Sequence, residues 1–214
     1  MPRRATRTDR RTREARAAGA DARAQLLRAA GEVVAERGVQ DASVDEIASR
    51  AGYSKGALYW HFASKDELFE ALIAERIDGP AREMAALLAS APPEQDMAPE
   101  ASRRFADVLA RERELLLLDH EYWSRAVREP RLRRRYRARR RELRRGLAAA
   151  LRTRAEHLGG EPPGTDAERV ATVILALAAG LAQQKLVDRD GVPDDLLGDT
   201  IALIYRGLAA RAQD

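Results

Sequence analysis

The sequence lacks cysteine and has only three histidines in its 214 residues. The absence of cysteine excludes disulfides, cysteine-ligated zinc sites and thiol catalysis. Histidines at positions 61, 120 and 157 leave little room for a histidine metal centre, so we expect no metal and no cofactor. We find no apolar run near 18 residues and no signal-peptide pattern. We therefore expect a cytoplasmic protein without a membrane span.

Glycine and proline are also scarce, at 14 and 9 residues, while Ala, Leu, Arg and Glu dominate. This composition favours helix over strand and turn. Hydrophobic residues make up 45% of the chain, which is enough apolar content for a packed core. No alternating strand pattern occurs, and the spacing of apolar residues predicts an all-α fold class with about nine helices.

Positive charge is concentrated in the first third of the chain. Residues 1–65 hold 13 basic residues against 8 acidic ones, whereas residues 66–214 hold 25 against 26. A basic end on a balanced protein indicates a polyanion partner, although a solubilising tail would produce the same excess.

The composition of residues 1–20, rich in arginine and poor in apolar side chains, predicts a basic flexible arm. The arm would enter a minor groove or follow phosphates, and the alternative is a tail with only a generic electrostatic effect. Its arginines are Arg3, Arg4, Arg7, Arg10, Arg11, Arg13 and Arg16.

Residues 43–62 have the spacing of a helix-turn-helix. Ser43 and Glu46 are spaced as a capping box that begins the first helix. Gly52 supplies the positive φ that a tight turn requires, and Ser54 begins the second helix.

The second helix is expected to expose an aromatic and basic side. Leu58 and Phe62 are one turn apart and face the core, which directs Gly56 and Trp60 most nearly outward. Such a surface suits a DNA major groove better than a solvated face, although packing of the aromatics on the rest of the protein is the alternative. The outward set is Lys55, Gly56, Tyr59 and Trp60, with His61 at its edge.

Groove and backbone contacts can be assigned to individual side chains. Trp60 can touch thymine methyl groups, and Lys55 can donate to guanine or phosphate. The helix N-termini at Ser43 and Ser64 offer N–H groups and a positive dipole end to phosphates, and Lys65 adds a charge at the second.

The span 21–73, and above all Leu-Tyr-Trp-His-Phe at 58–62 followed by Ser-Lys at 64–65, resembles the N-terminal DNA-binding domain of the TetR family of bacterial regulators. The resemblance implies a homodimer that binds a palindromic double-stranded DNA operator, mostly as a repressor. It also implies a C-terminal domain that binds a small-molecule effector. The residues expected to contact DNA are Ser43, Tyr53, Ser54, Lys55, Gly56, Tyr59, Trp60, His61 and Lys65.

Two positions depart from the family pattern. Tyr53 replaces the small apolar residue usual there, and we expect it to reach the DNA backbone itself. Asp45 lies where some members use a basic residue that reads bases, so that contact is not carried over. The operator sequence is therefore not readable from the protein sequence.

We expect three parts: the basic arm over 1–20, the helix-turn-helix domain over 21–66, and a helical effector-binding and dimerisation domain over 67–214. The segment 166–189 has one face of large apolar residues and small residues that allow close helix approach, and 194–212 is apolar on more than one side. Helices of this kind need two neighbours, which predicts that the two segments form the homodimer interface.

Residues 131–145 contain ten arginines and one glutamate. An apolar stripe of helical period runs through the same segment. We therefore expect the arginines to form a solvated or ion-paired face rather than a second nucleic-acid surface. Acidic residues available as partners are Glu112, Glu114 and Glu129.

A ligand pocket is expected between helices of the C-terminal domain, because polar and aromatic side chains stand beside leucines in the 115–123 stretch. Ordinary core packing of the same side chains is the alternative. The candidate lining residues are Met84, Phe105, His120, Trp123 and Tyr136.

Two other functions compete with a sequence-specific regulator. An enzyme is disfavoured because Asp119, His120 and Glu121, the only acid–histidine cluster, point in different directions on a helix. No phosphate loop, Ser-His-Asp spacing or HExxH motif occurs. A nonspecific architectural DNA-binding protein would spread basic charge more widely than the near-neutral C-terminal part does. We expect a non-enzymatic, cytoplasmic and nucleoid-associated regulator.

Overall fold

The structure, a computed structural model, describes the backbone of residues 7–92, 94–157 and 166–211, and the side chains of 19–92, 94–157 and 166–204. Ten helices and no strand occur within these ranges, and the predicted all-α fold class is confirmed. The helices are α1 (Arg7–Asp41), α2 (Val44–Arg50), α3 (Lys55–His61), α4 (Lys65–Arg76), α5 (Asp78–Ser90), α6 (Ala98–Arg111), α7 (Arg113–Arg128), α8 (Pro130–His157), α9 (Ala167–Val187) and α10 (Leu196–Arg211).

The chain divides into two compact units, residues 1–72 and 73–214. In the first unit α1, α2 and α3 pack on one another around a fully apolar core. The predicted domain boundary after residue 66 falls inside α4, shortly before the division between the units. The largest buried side chains of the first unit are Leu26, Leu27, Ile47, Leu58, Phe62, Leu68 and Leu72.

Helix α1 begins at Arg7 rather than near residue 21, so residues 7–20 are helical and the prediction of a flexible arm there is corrected. Alanine and arginine, which dominate this stretch, are both strong helix formers. Gly38 has φ 76° and ψ 169° and interrupts the helical geometry of α1. The side chains of the arm's arginines lie outside the described residues.

The predicted helix that starts at Ser64 is separated by the structure into α4 and α5, which brings the nine predicted segments to ten helices. Helix α4 ends at Arg76, and Ile77 precedes the first residue of α5. Pro80 explains this position, because a proline ring clashes with the carbonyl group four residues earlier, here that of Arg76.

In the second unit the long helix α8 packs against α5, α7 and α9, while α6 packs against α10. Gly198 allows the close contact of α6 with α10, because a Cβ there would overlap the carbonyl oxygen of Ala98 and the hydroxyl of Ser102. The Gly198 amide donates to Ser102 Oγ at 3.0 Å, and that hydroxyl donates to the Asp195 carbonyl oxygen at 3.0 Å. One buried serine therefore fixes the start of α10 on α6.

The connection between α5 and α6 is held by one buried arginine. Arg154 Nη1 donates to the carbonyl oxygens of Ala91 and Pro92 at 2.7 and 2.6 Å, and Nη2 donates to that of Gln95 at 2.7 Å. Bonds of a charged donor to buried carbonyl groups are among the stronger hydrogen bonds in proteins. They hold the loop against α8.

Helix α9 is long and apolar enough to cross a membrane by length and composition alone, with a mean hydropathy of 1.6 over its best 18 residues. The sequence criterion, an uninterrupted apolar run near 18 residues, missed α9 because its apolar stretch covers only 170–182, between Glu168 and Arg169 on one side and Gln183 on the other. Only 22% of that window is buried within the chain.

Candidate nucleic-acid interface and ligand cavity

Serine side chains begin the two short helices of the first unit. Ser43 Oγ accepts from the Glu46 amide at 3.1 Å, and Ser54 Oγ accepts from the Ala57 amide at 3.1 Å. Between them Gly52 takes φ 77°, and the Tyr53 amide donates to the Ala48 carbonyl oxygen at 2.9 Å. The turn therefore has the geometry that the glycine predicts.

The serine hydrogen bond of the capping box predicted at Ser43 and Glu46 is present. The Glu46 carboxylate pairs with arginines. Glu46 Oε1 lies 2.8 Å from Arg37 Nε and 3.5 Å from Arg50 Nη2. Arg50 also pairs with Glu36 at 2.6 Å. These pairs connect α1 with α2 behind the turn.

The exposed side of α3 contains the residues expected there. Leu58 and Phe62 are buried, and Trp60 on the opposite side is 79% exposed. The Trp60 indole meets the His61 ring edge-on, with centroids 4.7 Å apart. Exposed residues of this region are Ser54, Lys55, Gly56, Tyr59 and Trp60, and half-buried ones are Ser64, His61, Lys65 and Tyr53.

Lys55 does not extend freely into solvent. Its ammonium group lies 2.9 Å from Asp45 Oδ2, and this hydrogen bond raises the pKa of Lys55. Asp45, the position that departs from the family pattern, thus holds the lysine expected to contact DNA.

Gly56 has no role inside the described part of the protein that requires glycine. Its φ is not in the left-handed region, and a Cβ there would meet only Ser54 Oγ at an ordinary 3.8 Å. Glycine in a helix is less favourable than alanine by roughly 0.5–1 kcal/mol. An alanine would therefore fit at this exposed position without strain in the described residues.

The start of α4 offers a second serine cap beside a lysine. Ser64 Oγ accepts from the Glu67 amide at 3.1 Å, and Glu67 Oε2 accepts from the Ala63 amide at 2.9 Å. The Lys65 ammonium lies 5.2 Å from the centre of the Phe69 ring. The lysine charge therefore lies over an aromatic ring one turn into α4.

The second unit contains a partly open cavity of about 400 Å³ between its helices. All five residues predicted for a pocket line it. At one side the His120 ring stacks on Trp123, with centroids 5.3 Å apart, and His120 Nδ1 lies 3.3 Å from Gln183 Nε2. The five residues are Met84, Phe105, His120, Trp123 and Tyr136.

Charged residues that the sequence analysis did not assign to the cavity also line it. Asp78 and Asp119 share the guanidinium of Arg139, which lies 3.5 Å from Asp78 Oδ2 and also pairs with Asp119. Burial raises the pKa of Asp78, and Arg139 opposes this rise. The spacing of Tyr136 and Arg140, one helical turn, was the available signal that Arg140 faces the same side. The four charged lining residues are Asp78, Arg104, Asp119 and Arg140.

The ion-pair partners expected for the arginine-rich segment 131–145 are wrong. Each of the three expected glutamates pairs with an arginine outside that segment, because a closer arginine lies on its own or a neighbouring helix. The observed pairs are Glu112 with Arg76 at 2.8 Å, Glu114 with Arg113 at 3.4 Å and Glu129 with Arg125 at 3.1 Å. Within the segment, Arg139 pairs with the two aspartates, and Arg144 lies 3.6 Å from Glu168.

The described residues contain no group of three His, Asp or Glu side chains placed to hold a metal ion. Asp119 and His120 both border the cavity, although the sequence analysis expected neighbouring side chains of this cluster to diverge. Glu121 is exposed.

Helices α9 and α10 present apolar side chains to solvent in the single chain. Val173 and Leu203 are exposed, and Val187 is 91% exposed. Ala176 and Ala179 lie on the same exposed side of α9 as Val173, with the helical spacing of three residues. Small residues at this spacing allow a second helix to approach closely.

Each of the two units matches the model of a known protein family. Residues 26–72 match the model described as bacterial regulatory proteins of the tetR family. Residues 103–202 match the model described as the C-terminal domain of BetI-type transcriptional repressors.

Curated relatives share either the first unit or nearly the whole chain. The regulator TtgR of Pseudomonas putida is 30% identical over 196 residues, which cover 88% of this chain and 90% of TtgR. The transcriptional activator FasR of Mycolicibacterium smegmatis is 54% identical over 56 residues, 26% of each chain. The matches to FasR and to two Pseudomonas putida regulators, SrpR and TtgW, span only 26%, 30% and 48% of those proteins.

A solved structure with a bound ligand has a similar fold. The multidrug binding protein EbrR in complex with proflavin is 25% identical to this chain, with a TM-score of 0.53. The similarity covers 85% of this chain and 98% of EbrR.

Proposed function

The chain belongs to the TetR family of bacterial regulators, and on that premise we propose that it is a homodimeric repressor released from a palindromic operator by a small molecule. The family consists of DNA-binding regulators, not enzymes. The observation that carries the proposal is the exposed side of α3, where Trp60 is 79% exposed beside Tyr59, Lys55 and an otherwise unexplained glycine.

The proposed DNA contacts divide into base and backbone contacts. Trp60 and Lys55 enter the major groove, and Gly56 lets the backbone of α3 approach the bases. Tyr53, Tyr59 and the residues at the helix starts contact phosphates. The other proposed contact residues are Ser43, Ser54, His61 and Lys65.

The capping serines suit phosphate binding. Ser43, Ser54 and Ser64 each use the hydroxyl oxygen to accept a backbone amide of their helix. A hydroxyl group that accepts this bond still has its own hydrogen to donate. Each serine can therefore donate to a phosphate oxygen without losing its cap.

We propose that α9 and α10 form the homodimer interface. The exposure of Val173, Val187 and Leu203 in a single chain is costly in water and is relieved by a second copy. Burial of α9 against a partner also accounts for its high hydropathy without a membrane. Two-fold symmetry then places the two copies of α3, the proposed recognition helices, about 34–36 Å apart, which is one turn of DNA.

We propose that the cavity of the second unit binds the effector. A cavity of about 400 Å³ lined mainly by apolar side chains has the size of known ligand sites. EbrR, which binds proflavin, supports a ligand in a chain of this fold. An effector that favours a dimer with a different spacing of recognition helices lowers DNA affinity. Bound to its operators, the protein is associated with the nucleoid.

The test is selection of binding sites from random duplex DNA, followed by a gel shift on the selected site. We expect a palindromic site bound by two protomers, and a Trp60→Ala variant that loses specific binding. Leu117→Ala is the matched control, because it removes a large exposed apolar side chain of the second unit that does not line the cavity. Selection of no palindrome, or equal competition by unrelated DNA, would favour a nonspecific architectural protein.

A further inference from the structure

We propose that the cavity binds an uncharged, largely apolar molecule with one hydrogen-bond donor, which it directs to the carboxylate of Asp78. This inference rests on the proposed function, because it names the ligand class of the proposed effector cavity. It follows from two features of the cavity wall. The charges of the wall balance, and one buried acceptor of the wall lacks a hydrogen bond.

The charges beside the start of α5 cancel. Asp78 of α5 and Asp119 of α7 carry two negative charges, and Arg139 and Arg140 of α8 carry two positive charges. Arg139 pairs with both aspartates. Burial raises the pKa of Asp78, and the guanidinium groups of Arg139 and Arg140 oppose this rise. This group of four side chains therefore has no net charge.

The remaining charged lining residue, Arg104, is balanced within its own surroundings. Its Nε lies 2.6 Å from Glu100 Oε1, and its Nη1 lies 3.0 Å from Glu83 Oε2. Glu100 also pairs with Arg103, so both glutamates have a positive partner. A ligand of either charge would therefore leave a net charge in a largely apolar cavity, which costs free energy. An uncharged ligand avoids this cost.

Asp78 provides the acceptor that a ligand can satisfy. Its side chain lines the cavity and is only 2% exposed. Among the lining residues that the structure describes, Asp78 alone has a buried side-chain polar atom, Oδ2, without a hydrogen-bond partner. Arg139 Nε, 3.5 Å away, forms no hydrogen bond either. An ionised carboxylate can only accept, so the ligand must supply the donor.

The other polar side chains near Asp78 already have partners. Asp119 accepts from Arg139, and His120 Nδ1 lies 3.3 Å from Gln183 Nε2. A ligand donor therefore gains most at Asp78, where it relieves the cost of a buried acceptor without a hydrogen bond. Apolar residues of other helices can hold the rest of the molecule, among them Phe105, Leu116 and Leu175.

The experiment compares four probes with one naphthalene body by calorimetric titration of the full-length protein without DNA. The first probe, 2-naphthol, has an uncharged donor. The second, 2-methoxynaphthalene, has the same oxygen without its hydrogen. The other two, 2-naphthoate and 2-naphthylmethylammonium, carry a negative and a positive charge.

We expect 2-naphthol to bind about tenfold or more tightly than its methyl ether, as for a hydrogen bond to a charged group. Both ions should bind more weakly than 2-naphthol, because each leaves a net charge in the cavity. Equal affinities of 2-naphthol and its methyl ether, tighter binding of either ion, or binding of none of the four would overturn the inference.

Substitution of Asp78 tests the acceptor itself. Asp78→Ala should lower the affinity for 2-naphthol to that for the methyl ether, whose own binding reports an intact cavity. Asp78→Asn keeps an uncharged acceptor of the same size and should retain part of the preference. Asp119→Asn is the matched control, because Asp119 also lines the cavity but already accepts from Arg139. A preference that persists in Asp78→Ala, or is lost in Asp119→Asn, would contradict the assignment.

The inference and the proposed function can fail separately. Probe binding is measured without DNA, and operator binding is measured by gel shift without a probe. A preference for 2-naphthol that depends on Asp78, together with an operator complex that 2-naphthol leaves intact, would overturn the release mechanism only. A protein that binds its operator and ignores all four probes would overturn the donor site only.

Discussion

Lys55 and Asp45 form an ion pair between α3 and α2, with Nζ and Oδ2 2.9 Å apart. Both side chains are exposed on the side of the helix-turn-helix proposed to meet DNA. The aspartate therefore has two effects there: it repels phosphates and it holds a lysine that would otherwise be free to donate to them.

Removal of this aspartate charge is expected to strengthen DNA binding generally. In Asp45→Asn the lysine is freed, so affinity should rise for operator and unrelated DNA alike, and most at low salt. If the freed Lys55 then pairs with one phosphate, the slope of log affinity against log salt steepens by about 0.9. Gel shifts over a salt series measure this slope.

The control is the double variant that combines Asp45→Asn with Lys55→Gln, compared with Lys55→Gln alone. Without the lysine, Asp45→Asn can only remove repulsion, and its increase in affinity should be smaller than in the wild-type background. An equal increase in both backgrounds would show that the ion pair does not restrain the lysine.

Gly56→Ala should separate folding from DNA binding. A Cβ at position 56 would make only an ordinary contact with the rest of the protein. Because alanine is also the better helix former, the free energy of unfolding should stay equal or rise by about 0.5–1 kcal/mol. Operator affinity should fall, because the new methyl group separates the α3 backbone from the bases. Urea unfolding and a gel shift measure the two effects. Unchanged operator affinity in a stable variant would remove Gly56 from the DNA interface.

Local signals in the sequence were sufficient for most of the fold. Serine caps, the positive-φ Gly52 and the one-turn spacing of Leu58 and Phe62 act within a few residues, so the helix-turn-helix could be predicted directly. The five residues proposed for the pocket lie on the four helices α5 to α8 and also line one cavity, because amphipathic helices turn their apolar sides towards one another.

The partners of charged residues could not be predicted in the same way. Glu112 pairs with Arg76 of α4. Arg139 of α8 pairs with both Asp78 of α5 and Asp119 of α7, so this group involves three helices. Such pairs depend on which helices pack together and in what orientation. A chain with 35 arginines offers many equivalent partners in sequence, and only the fold selects among them.

Gly198→Ala should destabilise the second unit. The added methyl group overlaps the carbonyl oxygen of Ala98 and the hydroxyl of Ser102, so α10 must move away from α6 at a cost of about 1–3 kcal/mol. Gly146→Ala is the matched control, because no described atom lies within 4 Å of a Cβ at that exposed position of α8. The control should be stabilised by about 1 kcal/mol through helix propensity. Similar urea midpoints for the two variants would contradict the close packing at Gly198.

The stability contributed by Asp78 should depend on pH. Burial raises its pKa in the folded state, so the folded chain binds this proton more tightly than the unfolded chain. The contribution is therefore complete below the unfolded-state pKa, about 3.9, and is lost as pH rises through the folded-state value. Asp78→Asn cannot titrate.

Urea unfolding at several pH values tests this linkage. The free energy of unfolding of Asp78→Asn, minus that of the wild type, should increase from about pH 4 toward neutrality. The exposed Asp107→Asn serves as the control and should show no such trend. A difference for Asp78→Asn that is constant or falls with pH would show that burial does not hold its proton.

Arg137 is surrounded on α8 by like charges, which predicts that a charge reversal stabilises the protein. Arginines lie three and four residues away on both sides, at 133, 134, 140 and 141. Each such neighbour repels by roughly 0.2–0.5 kcal/mol, and a glutamate converts the repulsion into attraction. Arg137→Glu should therefore raise the free energy of unfolding by about 1.5 kcal/mol or more at low salt, and by less at high salt. Arg137→Gln, which only removes the repulsion, should lie between the wild type and Arg137→Glu in urea unfolding. A glutamate variant no more stable than the glutamine variant would show that these neighbouring arginines do not interact with residue 137.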